Sequence, residues 1–242
     1  MRFRNFLLSA LDEGDLRALM PDFEEVTFSQ GQVLFEVGDR AEQVYFPSSA
    51  VISIVTVMED GRSAESHTIG REGGVGLINA AGDVTLQSRV FAQVGGAALQ
   101  LPASALRRRL AESATLSSHL MRHAHASLLQ TQQFTACNVL HHAEQRLARW
   151  LLMTADRTGS ASFALTQEYM AIMTGVQRTT VSTLANAFKE RGLIRYSRGN
   201  VEILDHAGLQ AASCECARVV RRQFEELQAE GRQGDKRRGD AA

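Results

Sequence analysis

Residues 165–194 read LTQEYMAIMTGVQRTTVSTLANAFKERGLI, and this stretch decides the architecture. With Gln167 as the first position of a helix-turn-helix, the fifth is Ala171, small enough for a second helix to cross closely. The ninth is Gly175, which turns the chain without a Cβ penalty. The fifteenth and eighteenth, Val181 and Leu184, are apolar and point back at the first helix. Thr166 can cap the first helix and Gly192 can end the second.

The second helix of this unit carries Gln177, Arg178, Thr179, Thr180, Ser182 and Thr183. A long cation beside short hydroxyls reaches base edges and phosphates without filling the major groove. Arg178 is expected to read a guanine, and Thr180 and Ser182 to bond phosphate. Lys189, Arg195 and Arg198 follow as backbone anchors. Residues 192–204 alternate around Arg198-Gly199-Asn200, the pattern of a β-hairpin, here a wing whose Arg198 meets flanking phosphate.

Working outward, residues 146–200 hold eight basic side chains (Arg146, Arg149, Arg157, Arg178, Lys189, Arg191, Arg195, Arg198) against Asp156, Glu168 and Glu190. The whole chain has a net charge of -1, so the positive charge is local, as for one polyanion-binding surface. Residues 103–153 read as helix. Leu116, Leu120, Ala124, Leu128 and Thr131 recur at three or four residues and suggest a seam for a second copy of the same helix, with His123 beside it near the dimer axis. Residues 22–102 are short β-branched or aromatic runs, such as Val33-Leu34-Phe35 and Val51–Val57, separated by turn signals such as Glu59-Asp60-Gly61. That spacing suggests an antiparallel sandwich or barrel. A short amphipathic helix is expected over 5–20.

The 242 residues suit two domains at roughly 100–150 residues each. Three cysteines are too few for a disulfide framework, the apolar runs are too short to span a membrane, and the N-terminus lacks a signal-peptide pattern. A cytoplasmic protein with no membrane partner is expected. No nucleophile elbow, P-loop or zinc-protease pattern occurs, so neither enzyme activity nor catalytic residues are expected.

The order of these parts resembles the cAMP receptor protein/fumarate-nitrate regulator (Crp/Fnr) superfamily of bacterial transcription regulators. The resemblance covers about residues 5–225. Its most specific pieces are Gln145-Arg146-Leu147-Ala148-Arg149-Trp150-Leu151-Leu152, the helix-turn-helix, and Gly192-Leu193-Ile194 with Tyr196 and Arg198-Gly199. It implies an α+β chain. An N-terminal antiparallel β jelly-roll sensor of cyclic-nucleotide-binding type is expected over 1–110 and a long dimerisation helix over 111–138. A C-terminal winged helix-turn-helix is expected over 139–230, then a disordered tail over 231–242. The implied function is a homodimer on a near-palindromic operator in double-stranded DNA, controlled by an unknown signal at the β domain, with RNA polymerase a candidate partner.

Departures from the family limit what carries over. Gly70, Arg71, Glu72 and Gly73 with Gln87 and Arg89 are the candidate ligand-binding residues. The spacing puts Leu86 or Gln87, not Arg89, where cyclic-AMP-binding relatives keep a phosphate arginine, which disfavours cyclic AMP. The segment before the sensor has no cysteine, which argues against an iron–sulfur cluster. Thr179 stands where those relatives have a cytosine-reading glutamate, so a different operator is expected. The cofactor stays unknown. A second reading also stays open: a small-ligand or redox/haem sensor whose helical domain contacts protein rather than DNA.

His119, His123 and His125 leave packing, metal or haem, and a proton-sensitive contact near the dimer axis open. Cys214 and Cys216 on one helix would point about 200° apart, so no metal set is expected. With Cys137, packing and thiol redox sensing both remain readings.

Overall fold

The structure is a computed structural model and describes residues 3–226. The chain opens with two short helices, α1 (Phe6–Ser9) and α2 (Glu13–Leu19). The single helix expected over 5–20 is broken because Asp12 accepts from the Gly14 amide and caps a new one.

Seven strands follow: β1 (Glu24–Phe28), β2 (Val33–Phe35), β3 (Gln43–Pro47), β4 (Val51–Val57), β5 (Ser63–Ile69), β6 (Arg89–Val94) and β7 (Gly96–Pro102). They form two antiparallel sheets, ordered β1-β7-β3 and β2-β6-β4-β5. The β-branched and aromatic positions of both sheets supply one core, with Phe28, Val44, Phe46, Ile52, Val90 and Leu101 buried in it. A short helix, α3 (Leu77–Gly82), joins β5 to β6.

The helical region starts with α4 (Ala103–Glu112), and α5 (Ala114–Leu140) is the long helix. Its 27 residues span about 40 Å. It starts three residues after the expected 111, because the Ser113 hydroxyl caps it by accepting from the Leu116 amide, and it ends two after 138. The buried stripe of α5 is Leu116, His119, His123, Ala126, Gln130, Phe134 and Cys137. Within one chain this stripe already engages part of the expected dimer seam. Leu116 and Leu120 pack on the sensor core, His123 lies against Gly74, and the Thr131 hydroxyl sits 3.5 Å from His67. Ala124 is half-buried and Leu128 is 54% exposed. A repeat of three and four fits either face of one helix, and the sensor of the same chain takes this one.

The C-terminal unit comprises α6 (Ala143–Thr158), β8 (Ser162–Ala164), α7 (Gln167–Thr174), α8 (Arg178–Glu190), β9 (Ile194–Ser197), β10 (Asn200–Ile203) and α9 (His206–Ala212), with residues 216–226 helical. The tail expected over 231–242 lies outside the described residues. This unit docks on the sensor. Val51, Val55, Phe91 and Val94 of β4 and β6 share one buried cluster with Trp150, Leu151, Met170 and Met173. Tyr169 stacks on Phe91 at 5.6 Å.

Candidate functional site

Local chemistry sets the helix-turn-helix. The Thr166 hydroxyl accepts from the Tyr169 amide and starts α7. Gly175 ends it in the left-handed region at φ 64, where a side chain is strained. Val181, Ala185 and Phe188 are buried at i, i+4 and i+7 and fasten α8 to its neighbours. The opposite face follows from that stripe. Arg178, Thr179, Thr180 and Thr183 are exposed on or near it, and Gln177 is exposed just before it. Ser182 departs from the expectation. It is half-buried, and its hydroxyl donates to the Gln167 side chain (2.9 Å) and to the Arg178 carbonyl (3.0 Å). Asn186 was missed. It is exposed three residues beyond Thr183 and seven beyond Thr179, and that spacing alone could have found it.

The wing is the β9–β10 hairpin, paired on its other side with β8. Arg198 and Gly199 form its turn at φ 50 and 75, the type I′ geometry that matches strand twist. A left-handed backbone costs a non-glycine residue roughly 1 kcal/mol, so Arg198 is held at the tip against its local preference. Lys189 is exposed in the last turn of α8. Arg195 is tied to Glu202 at 2.5 Å and is partly neutralised. Arg178, Lys189 and Arg198 have no carboxylate partner among the described residues.

The candidate ligand residues do not converge. Gly70 seats the Arg157 side chain, since an added Cβ would lie 2.5 Å from it, and Gly73 likewise seats His123. Arg71 covers the Phe6 ring at 4.8 Å, and Glu72 pairs with Arg157 at 2.6 Å. Gln87 instead bonds Thr85, and Arg89 pairs with Glu36. The glycine run is therefore the seat of α5 and α6 on the sensor, required by close packing. Beside it lies a cavity of about 310 Å³ bordered by Phe6, Arg71, Arg157 and Phe224.

Leu77 and Leu86 fill the roll interior, at 3% and 5% exposure. Burial, with Arg157 and His123 adding to it, pushes His67 down to about 3. It lowers His123 too, against the opposing bond to Gly74. His123 is thus a neutral packing group against the sensor of its own chain. Burial raises Glu65 instead.

The expectation for the cysteines is also corrected. Cys214 precedes the last helical stretch rather than sharing it with Cys216, so the 200° separation does not arise. The Sγ atoms of Cys137 and Cys214 lie 3.6 Å apart, as do Cys216 Sγ and His141 Nδ1. The hydrogen bond from Cys137 holds the Cys214 thiol down to about 5. The same bond and burial push Cys137 up, and burial raises Cys216.

Comparison with known proteins accounts for both halves. A cyclic nucleotide-binding domain model matches residues 25–113 and a Crp-like helix-turn-helix domain model matches 145–212. The chain belongs to the Crp/Fnr superfamily. It is a DNA-binding transcription regulator of the Crp/Fnr type. A curated Crp/Fnr relative is the CRP-like cAMP-activated global transcriptional regulator of Mycobacterium tuberculosis, 26% identical over 208 residues, 82% of this chain and 92% of the relative. Two solved structures share the Crp/Fnr fold. One is a putative transcriptional regulator of the crp/fnr family from Eubacterium rectale, with TM-score 0.65 and 16% identity, covering 86% of this chain and 98% of that one. The other is a CRP-family transcriptional regulator from Thermus thermophilus, with TM-score 0.65 and 21% identity, covering 78% and 96%. No helix of this Crp/Fnr protein, among the described residues, is long and apolar enough to cross a membrane.

Proposed function

We propose that this regulator acts in the cytoplasm as a non-catalytic homodimer whose two copies of α8 enter successive major grooves of a near-palindromic operator, about 34 Å apart. The observation that carries this is the exposed face of α8, from Arg178 and Thr179 to Thr183 and Asn186, rigidly backed by the buried Val181–Ala185–Phe188 stripe. Arg178 reads a guanine, Asn186 is placed for an adenine, and Arg198 and Lys189 neutralise phosphate. Ser182 positions the Gln167 side chain rather than touching DNA.

The seam that supports dimerisation is Met121, His125, Leu128, Gln132, Thr135 and Val139, all exposed at steps of four and three. Met121 is 71% and Val139 78% exposed, and a seam of period 3.5 is what two long helices bury against each other. The signal acts at the sensor and shifts the population between two poses of α8 relative to the roll. The lining disfavours cyclic AMP as that signal: an exposed Gln87 and a buried Leu86 offer its phosphate no cation. RNA polymerase is the candidate further partner.

The test is fluorescence anisotropy with duplexes from the host's own regulatory regions across a salt series. The expected result is an affinity that falls linearly in log–log form, with a slope set by the phosphates contacted. Added cyclic AMP is expected to leave it unchanged. A salt-independent affinity, or one equal for random and regulatory DNA, overturns the reading.

A further inference from the structure

Two segments far apart in sequence deliver four soft donors to one point. Cys137 occupies the last turn of α5, and His141 follows one turn later as its C-cap, its amide donating to the Cys137 carbonyl. Cys214 and Cys216 straddle the start of the last helical stretch, where the chain leaves α9. Their ligand atoms all lie within 4.8 Å of one another.

The separations suit one mononuclear tetrahedral ion. Metal–sulfur bonds of about 2.3 Å and metal–nitrogen bonds of about 2.0–2.1 Å imply S···S near ~3.8 Å and S···N near ~3.6 Å. The Cys137–Cys214 S···S and Cys216–His141 S···N distances are both 3.6 Å, and no pair of the four ligand atoms is more than 4.8 Å apart. Donors this close do not enclose a polynuclear iron–sulfur cluster, and thiolate with imidazole excludes magnesium and calcium.

Two independent observations point to the same occupant. First, His141 turns Nδ1 to the thiols while Nε2 lies 3.3 Å from the Glu215 carboxylate, the outer partner that fixes tautomer and ring angle in metal-bound histidine. The Gln133 side chain donates to Cys216 Sγ at 3.1 Å, which orients that sulfur. Second, Arg149 is 2% exposed, stacked over Phe134 at 4.1 Å, with its Nε unpartnered. No carboxylate is in ion-pair contact with it among the described residues; its charge acts on the buried Glu65 and on the Cys137 and Cys214 thiols. A buried cation needs a counter-charge. Three thiolates around a divalent ion carry a single net negative charge and supply it.

We infer that Cys137, His141, Cys214 and Cys216 form a closed structural binding site for one zinc ion, which fastens the segment after α9 to the junction of α5 and α6. Four protein ligands leave no open position, so the ion holds structure rather than activating water. The junction is where the long helix hands over to the DNA-binding unit. Zinc occupancy therefore fixes the seat of that unit on α5.

The test uses the full chain, purified without immobilised metal and assayed for metal by mass spectrometry. The expected result is about one zinc per chain, with thiols unreactive until a chelator is added. Reconstitution with cobalt(II) is expected to give thiolate-to-cobalt charge-transfer absorption and the intense visible bands of a tetrahedral ion. Cys216→Ser loses these. Glu215→Gln, at a half-exposed outer position, keeps them but binds roughly 10–100-fold more weakly in chelator competition. Folded protein, verified by circular dichroism, that carries no metal and yields no cobalt bands overturns the inference. So does a Cys137–Cys214 disulfide in the peptide map of freshly lysed cells, or a metal affinity that Glu215→Gln leaves unchanged. None of these readouts involves DNA, so a negative result leaves the reading of α8 standing.

Discussion

Arg178 and Arg198 look alike in the sequence, yet their surroundings give them different work. Arg178 opens α8 beside exposed hydroxyls, whereas Arg198 sits at the tip of the wing turn. Arg178→Ala is expected to lower discrimination against a wrong base by about 1–3 kcal/mol. Arg198→Ala is expected to weaken all duplexes alike and to reduce the salt slope by about one phosphate. Anisotropy titrations on matched and mismatched duplexes separate the two; equal losses on every sequence overturn the assignment.

His67 is the second prediction at this scale. Its folded-state pKa of about 3 lies below the ordinary ~6.5, so the unfolded chain takes up a proton that the folded chain refuses. Its stabilising contribution is complete above pH ~6.5 and is lost as the pH falls toward 3, at up to about 1.4 kcal/mol per unit. Glu65 acts in the opposite sense: its pKa is raised, so its contribution is present below the ordinary carboxylate value and fades as the pH rises through the raised one. Urea unfolding of the parent and His67→Gln at pH 7 and pH 5 checks the sign. The parent loses more stability on acidification; equal losses sink the account.

At the scale of the element, α5 presents two stripes with separate tasks. The Leu116–Cys137 stripe packs in its own chain, and the Met121–Val139 stripe faces out. Leu116→Ala is expected to cost about 2–5 kcal/mol of folding stability, read from denaturant unfolding. The double change Met121→Glu with Leu128→Glu places like charges on the outer seam. It is expected to yield a folded monomer by light scattering with unchanged helical circular dichroism. A variant that stays dimeric refutes the seam. Of the expected seam residues, only Leu128 lies on the outer stripe, because periodicity gives the pitch of a stripe but not its partner.

Across the whole molecule, packing and a nearly buried ion pair help join the sensor to the helical region. Glu72 Oε1 lies 2.6 Å from Arg157 Nε, and Gln130 accepts a further bond from that guanidinium at 3.1 Å. Glu72→Ala leaves Arg157 buried with half its partners. The expected cost is about 3 kcal/mol, the lower end for a broken buried pair because the Gln130 bond remains. The check is the unfolding midpoint, beside an Arg89→Ala control on the exposed pair with Glu36, which is expected to change stability by less than about 1 kcal/mol.

The sequence alone specified the helix-turn-helix, the wing, the strands and the long helix, because each depends on neighbours a few residues apart. Thr166, Gly175 and the Val181–Phe188 spacing act within one or two turns, and Arg198-Gly199 acts within a single turn. Tertiary structure decided which stripe of α5 meets the sensor, that Gly70–Gly73 seats helices, and that Cys137, His141, Cys214 and Cys216 meet. Those outcomes depend on contacts between distant segments, such as Glu72 and Arg157, 85 residues apart. Local pattern fixes the shape of each surface, but only the closure of the whole chain selects which surfaces touch.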